Sequence, residues 1–459
     1  MMFLDNYRRA MKKLPEGIAE AEINVERKEC IKIGVSGGRV ALTDVSDVTS
    51  IYVRASGEKT GYAYTEDLGE DAQEVLLRAY NNGLISDSEQ IDILNTPKTA
   101  FNPNTLNDNI QSRNKENQHP VNSSAVVEKA MLLEDLVRKS DSSIKTVLAT
   151  VRSDTLSSTV LNSKGVDISF KRNVYYAKVN VTAQVMGDSI DAVYSISNSS
   201  LEELDLGFLV EKINNSIKNK IEPGSLTSGE YPVVLDQSVG INIMMTAWQL
   251  FSGMKYCDGS TALKGRLGEY IGSSAFSIVD MPFHKYTGYY FPFDCEGTPG
   301  KEVMLVDKGK FTSLMHNNYS SSQLDLQPTG NAGRVALLTG NIPTDIIVTP
   351  KICCIKPGVN STQQLLQEMG DGVYITESYD IFHSINIGSG DFAIPCRGVF
   401  IKDGKPSHSV NALSICGNLI DLFNNVIETS NDFIIDEFLL KSYCVGSPSI
   451  RLSKLQING

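Results

Sequence analysis

Five histidines, eight cysteines and one closely spaced pair of acids hold most of the chemistry that these 459 residues offer. The histidines are His119, His284, His316, His383 and His408. No two share a helix turn, so there is no zinc-peptidase pattern of two imidazoles on one helix with a Glu beside the first. His316 in MHNNYS and His383 in IFHSINI lie in β-rich stretches, where only the tertiary fold can bring them together. Asp294 and Glu296 stand two apart in FPFDCEG. On a strand they would share a face, as a general acid and base do. The reading adopted is a turn between strands. There is no G-x-S-x-G elbow, no P-loop, and no G-x-G-x-x-G opening a helix after a strand. The G-x-G of GSGDFA runs into a strand, which argues against phosphate binding.

The cysteines form no C-x-x-C pair, and the vicinal Cys353 and Cys354 of KICCI read as a buried strand. The opening MMFLDNYRRAMKKLPEG is charged and carries no apolar signal core. Reduced thiols in a cytoplasmic protein are therefore expected. A net charge of −12 speaks against a broad nucleic-acid face, which needs clustered Lys and Arg. No apolar run has the length of a membrane span.

The elements that must position these groups read as α+β. Two domains are expected from the length, 1–224 and 225–459, divided at the breaker-rich PGSLTSG. The first is an α/β-type domain with a mixed sheet and helices. Its helices are expected at 4–13, 72–80, 125–138 and 201–220, with Asn81-Asn82-Gly83 as a C-cap and Val127, Met131, Leu132 and Leu136 toward the core. Its strands are expected at 21–24, 31–35, 48–54, 61–65, 144–152, 158–161 and 175–185, with a hairpin at Asn162–Gly165 leading into 166–170. Residues 95–124, rich in Asn, Pro, Thr, Ser and Lys, read as a long surface loop around His119. The second domain is β-rich, a curved sheet or barrel, with strands near 276–279, 303–306, 346–348, 372–376, 392–394, 398–401 and 449–455 and a helix over 419–427. At its head, strand Pro232–Leu235 enters a helix over 241–251 whose Ile241, Met244, Met245, Trp248 and Phe251 make one apolar stripe.

Several segments of this half, in order, resemble the TldD/PmbA family, most closely its PmbA (TldE) branch. They are KGRLGEYIGSSAFSIVDMP, FPFDCEGTPG, QPTGNAGR, GSGDFA, GNLIDLF and the terminal GSPSIRLSKLQING. The Arg54–Thr65 region fits more loosely. The resemblance implies a pair of similar chains. The TldD-type chain carries His-Glu-x-x-x-His on the first C-terminal helix and a distant Cys as third zinc ligand, and the complex cuts short or unfolded peptides, including precursors of microcins and other modified peptides. Counted back from GRLGE, the two His and the Glu fall here on Met244, Gln249 and Met245. The third ligand falls near Asp432–Asp436, and Cys444 lies about ten residues too late. Thioethers and an amide are poor zinc donors and move no proton. The resemblance therefore implies a chain with no catalytic residue and no metal of its own, paired with a zinc-bearing TldD-like subunit and a peptide substrate, and touching neither nucleic acid nor membrane. Residues five apart on a helix differ by about 140°. With no metal to share, a regular helix is expected there, with Trp248 filling the vacated space. Gly388, Ser389, Gly390, Asp391 and Phe392 are the candidates for contact with a peptide or partner backbone. Two other readings stay open: a stand-alone hydrolase using Asp294, Glu296, His316 and His383, and a binding protein of the DNA-gyrase-modulator type.

Overall fold

The computed structural model describes residues 2–85, 94–102, 122–221, 223–284, 287–334, 345–438 and 443–459. His119 and much of the polar segment around it lie outside them. Helix α1 (Met2–Lys12) precedes strands β1 (Glu20–Ser36), β2 (Arg39–Ser56) and β3 (Thr60–Thr65), then helices α2 (Ala72–Leu84) and α3 (Ser123–Ser140). Strands β4 (Ile144–Asn162), β5 (Asp167–Val185) and β6 (Asp188–Asn198) follow, and helix α4 (Leu206–Lys218) closes this part. All six strands form one antiparallel sheet in the order β3-β2-β1-β4-β5-β6.

The expected strands at 21–24 and 31–35 are one strand, as are those at 144–152 and 158–161. Pairing on both sides carries the strand through the intervening charges: Lys28 opposes Val48 and Leu156 without a break in register. The hairpin at Asn162–Gly165 is present. Asn162 accepts from the Lys164 and Val166 amides at 3.1 and 3.0 Å, and Gly165 takes φ 95°. Gly83 is not a C-cap. Helix α2 runs through it, and a Cβ at Gly61 would stand 2.3 Å from the Gly83 nitrogen, so the glycines let helix and strand touch. Helix α3 packs a face one position off the expected one. Val126, Ala130, Leu133 and Val137 are buried, while Leu132 and Leu136 are exposed. A second apolar row, through the small Ala130, lies against the sheet. Helix α4 starts at Leu206 rather than 201, because Asp205 caps it by accepting from the Phe208 amide at 2.9 Å.

The second part runs through β7 (Pro223–Gly224), β8 (Gly229–Leu235), α5 (Gln237–Ala247), α6 (Gly253–Asp258), β9 (Ile278–Met281), β10 (Val303–Asp307), β11 (Lys310–Phe311), α7 (Asn318–Gln323), β12 (Ala332–Gly333), β13 (Ile347–Val348) and β14 (Ile352–Ile355). Then come α8 (Thr362–Met369), β15 (Gly372–Ser378), β16 (Asp391–Lys402), β17 (Lys405–Asn418), α9 (Leu419–Asn424), β18 (Val426–Phe438) and β19 (Tyr443–Asn458). The main sheet is ordered β11-β10-β9-β14-β19-β8-β15-β16-β17-β7, with β18 on β19. A further β17–β19 pairing curls one end back on itself, giving the expected barrel-like curve. The strands expected at 392–394 and 398–401 are one strand across a bulge, and the 419–427 helix stops at Asn424, where β18 begins. Cys353 and Cys354 lie buried in β14 as free thiols.

A buried ion triad ties the first sheet to a turn of the second part. The Arg54 guanidinium donates to Glu22 and to Glu296, each at 2.9 Å, and all three residues are at most 4% exposed. Breaking such a group leaves carboxylates buried without a counter-charge. Arg54→Met should therefore cost about 3–5 kcal/mol in urea unfolding. Arg8→Met, which removes an exposed pair to Asp167, should cost less than about 1 kcal/mol.

Candidate functional site

Strand β8 delivers the chain to Asp236, the N-cap of α5. Its carboxylate accepts from the Ser238 amide at 2.9 Å and the Ser238 hydroxyl at 2.7 Å. The Tyr374 hydroxyl and the Lys212 ammonium complete its surroundings. Beyond the cap, α5 is not amphipathic as expected. Val239, Ile241, Ile243, Met244, Met245 and Ala247 are all buried, since the curled sheet and its loops enclose the helix except where Ser238 and Asn242 face a cleft. Nor is the helix regular over the whole expected span. It ends at Ala247 and tightens into a 3₁₀ turn over Trp248–Phe251. The cause lies in the residues present. The Met245 carbonyl accepts from the Trp248 indole at 3.0 Å and the Tyr443 hydroxyl at 3.2 Å, and an unbroken α-helix would offer that oxygen to the Gln249 amide. Trp248 does fill the space, edge-on to Tyr443 at 5.6 Å.

Zinc does not fit here. Met244 and Met245 are core side chains, and Gln249 sits half-buried in the 3₁₀ turn. Asp432 on β18 already accepts from the Thr362 amide at 2.9 Å. Cys444 turns away: its neighbours Tyr443 and Val445 pack in the core of α5, while Cys444 joins the cluster on the other sheet face. Among the described residues no group of three or more His, Cys, Asp or Glu is arranged to hold a metal.

The other candidates are held apart. Asp294 and Glu296 occupy a buried turn. Asp294 accepts from the Glu296, Thr298 and Ala332 amides, each at 2.9 Å, and Glu296 from Arg54 and the Asn318 amide. Burial and the neighbouring Glu296 push the Asp294 carboxyl up. His316 is buried against Ser320 at 3.1 Å, and burial lowers its pKa to about 4. His383 is exposed beside Asp380. These four do not make a hydrolytic constellation. Gly388, Ser389 and Gly390 form a tight turn into β16, which Asp391 and Phe392 begin. Asn386 takes up the Gly388, Ser389 and Gly390 amides, and Asn418 binds the Ser389 carbonyl and the Asp391 carboxylate. The donors a peptide backbone would need there are already used.

What the sequence did not single out is the cleft beside α5. Two adjoining cavities of about 950 and 330 Å³ share Tyr194, Ser238 and Asn242. Strand β6 lines both, and among the described residues its outer edge pairs with no strand. A charged cluster stands in the larger cavity. Glu377 receives Ser216 and Lys220 at 2.8 Å, with the Tyr379 hydroxyl on its other oxygen and Arg397 at 3.8 Å. Burial alone would raise the Glu377 carboxyl, but the bonds from Lys220, Tyr379 and Ser216 outweigh it and hold it below its ordinary range. These residues come from α4, β15, β16 and the chain just after α4 and β15, and no local pattern joins them.

With this geometry in place, similarity to known proteins is informative. Residues 228–459 match the PmbA/TldA metallopeptidase C-terminal domain, and residues 116–220 match the central domain of the same family. The chain belongs to the TldD/PmbA family. It is PmbA/TldE-like. A metalloprotease of Methanothermobacter thermautotrophicus is 29% identical over 235 residues, covering 51% of this chain and 50% of that protein. The PmbA homologue of Haemophilus influenzae is 23% identical over 303 residues, covering 65% and 61%. The chain thus spans about half the length of the curated relatives it matches. Crystalline TldE from Thermococcus kodakarensis shares the fold, with a TM-score of 0.84 at 20% identity over 100% of both chains. No helix among the described residues is long and apolar enough to cross a membrane.

The Glu377 cluster gives a signed pH dependence. A depressed carboxylate stabilises the fold fully above its ordinary value of 4.5, and that contribution is lost as pH falls through the lower folded value. Glu377→Gln should lower stability near pH 7 by about 1.5–3 kcal/mol, the range for a hydrogen bond to a charged group. It should also flatten the acid limb of a melting-temperature profile between pH 3 and about 5.

Proposed function

We propose that this chain is the non-catalytic, TldE/PmbA-like subunit of a heteromeric metallopeptidase. A TldD-like partner brings the zinc, and the complex acts on short or unfolded peptides, including precursors of microcins and other modified peptides. The observation that carries this reading is the fate of Met244, Met245 and Gln249. A zinc peptidase needs imidazoles and a carboxylate facing a wet cleft, and two of these positions are thioethers sealed in a core. Those groups neither bind zinc well nor take a proton from water.

The cleft beside α5 supports the peptide part. An extended chain can add to a free sheet edge through main-chain hydrogen bonds with little demand on sequence. The edge of β6 faces a cavity of about 950 Å³. In this reading the chain receives or shelters the peptide while the partner cuts it, and both work in the cytoplasm.

The test is metal content and cleavage, measured separately. The chain purified alone should carry well under 0.1 zinc per molecule by mass spectrometry and leave casein-derived peptides uncut. Mixed with a TldD-like chain bearing His-Glu-x-x-x-His, it should enter a stable complex whose cleavage stops with a chelator. Stoichiometric zinc and chelator-sensitive cleavage by the isolated chain would overturn the proposal.

A further inference from the structure

The first sheet has another open edge, on the far side from β6. Strand β3 pairs with β2 only from Ile51 to Ser56, and among the described residues nothing pairs with the outer edge of β2 between Arg39 and Ser50. Strand β1 holds the inner edge of the same stretch throughout. Residues 39–48 are all exposed, among them Val40, Leu42, Val45 and Val48, with Val45 at 68%. In monomeric proteins such an edge is commonly blunted by Lys or Pro, and between Arg39 and Ser50 there is neither. Asp47 is engaged within its own sheet by Arg27, at 2.8 and 2.7 Å. An open edge with apolar side chains pointing to both faces is a template for another strand.

The residues of this edge are complementary to themselves. In an antiparallel pair, outward-pointing residues oppose outward-pointing residues, so in a twofold pair of identical strands one residue faces its own copy. Ala41 is the extra residue of a bulge, since Gly34 opposes Leu42 while Val35 opposes Val40, and the regular edge begins at Leu42. Centring the pair on Asp44 or Asp47 sets like charges together. Centring it on Ser46 sets Val45 opposite Asp47 and Val48 opposite Asp44, and centring it on Thr43 sets Leu42 opposite Asp44. Centres nearer either end run into the bulge or into β3. With Val45 at the centre, Val45 meets Val45, Leu42 meets Val48 twice, and Asp44 and Asp47 meet the hydroxyls of Ser46 and Thr43. That pairing runs from Leu42 to Val48 and stops short of β3.

We infer that two copies of this chain pair through β2, antiparallel and centred on Val45, joining their first sheets across a twofold axis. Main-chain hydrogen bonds and the apolar pairs hold the contact, and the symmetry closes the assembly at two. The contact is small, so the dimer is a weak one. This goes beyond the peptidase reading and depends on neither zinc nor a TldD-like chain. Strand β6 lies at the opposite end of the sheet, and the pairing does not touch it.

Sedimentation velocity of the full chain between about 1 and 500 µM should approach, and not pass, about 100 kDa, twice the 50.2 kDa of one chain. Val45→Lys sets two ammoniums face to face on the axis. It should weaken the dimer about tenfold or more, while the dilute monomer melts as before because the side chain is exposed. Ser46 reports the register: Ser46→Lys faces Asp44 of the second copy and should tighten the dimer about twofold or more, and Ser46→Asp should weaken it by as much. Val193→Lys, on the edge of β6, should leave the dimer unchanged. The inference is overturned if the chain stays monomeric at the highest concentration, if species larger than a dimer form, if Val45→Lys associates as the native chain does, if both Ser46 variants move the equilibrium the same way, or if Val193→Lys weakens the dimer as Val45→Lys does. A chain that does not self-associate, but whose Val45→Lys variant loses a complex with a TldD-like chain, would overturn it in favour of that chain as the occupant.

Discussion

Arg54 sits between two carboxylates from opposite ends of the fold, and the relation of the first sheet to the rest of the molecule depends on it. Glu22 and Arg54 are neighbours across β1 and β2, while Glu296 comes from a turn 242 residues further on. The same turn is braced by Asp294, which gathers three backbone amides, and Asn95 ties it to the first part by donating to the Glu296 carbonyl at 2.8 Å. A guanidinium with five fixed donors can hold two carboxylates at once, and in a dry interior that pairing leaves little freedom for sliding. The contact fixes the seam between the first sheet and this turn.

Helix α5 has a capped N-terminus, a change of pitch after about three turns, and a neighbouring cleft. The change of pitch needs no metal. Trp248 and Tyr443 bind the Met245 carbonyl, and aromatic donors here sustain a break that in a zinc-bearing chain would let two ligands five apart meet. The methionines then complete the core. Their flexible thioethers fill an irregular space well.

Beside α5, Glu377 is bonded by Ser216, Lys220 and Tyr379, so the charges there are mutually satisfied and serve to position the walls. Satisfied networks stiffen a structure.

The sequence by itself determined the class of the fold, the family, and the missing zinc donors, because these are carried by residue types and by the order of short motifs. It also placed most helices and strands, since hydrophobic periodicity is local. It did not show that strands split by charged residues were continuous, because pairing with neighbours on both sides overrides a polar interruption. It placed the buried face of α3 one position off, since Val127, Met131, Leu132 and Leu136 make an apolar row beside the one that the sheet selects. The Glu377 cluster and the edge of β6 were invisible in it. Each depends on residues tens to hundreds of positions apart, and on which of their hydrogen bonds remain unmade after folding, and only the tertiary structure decides that.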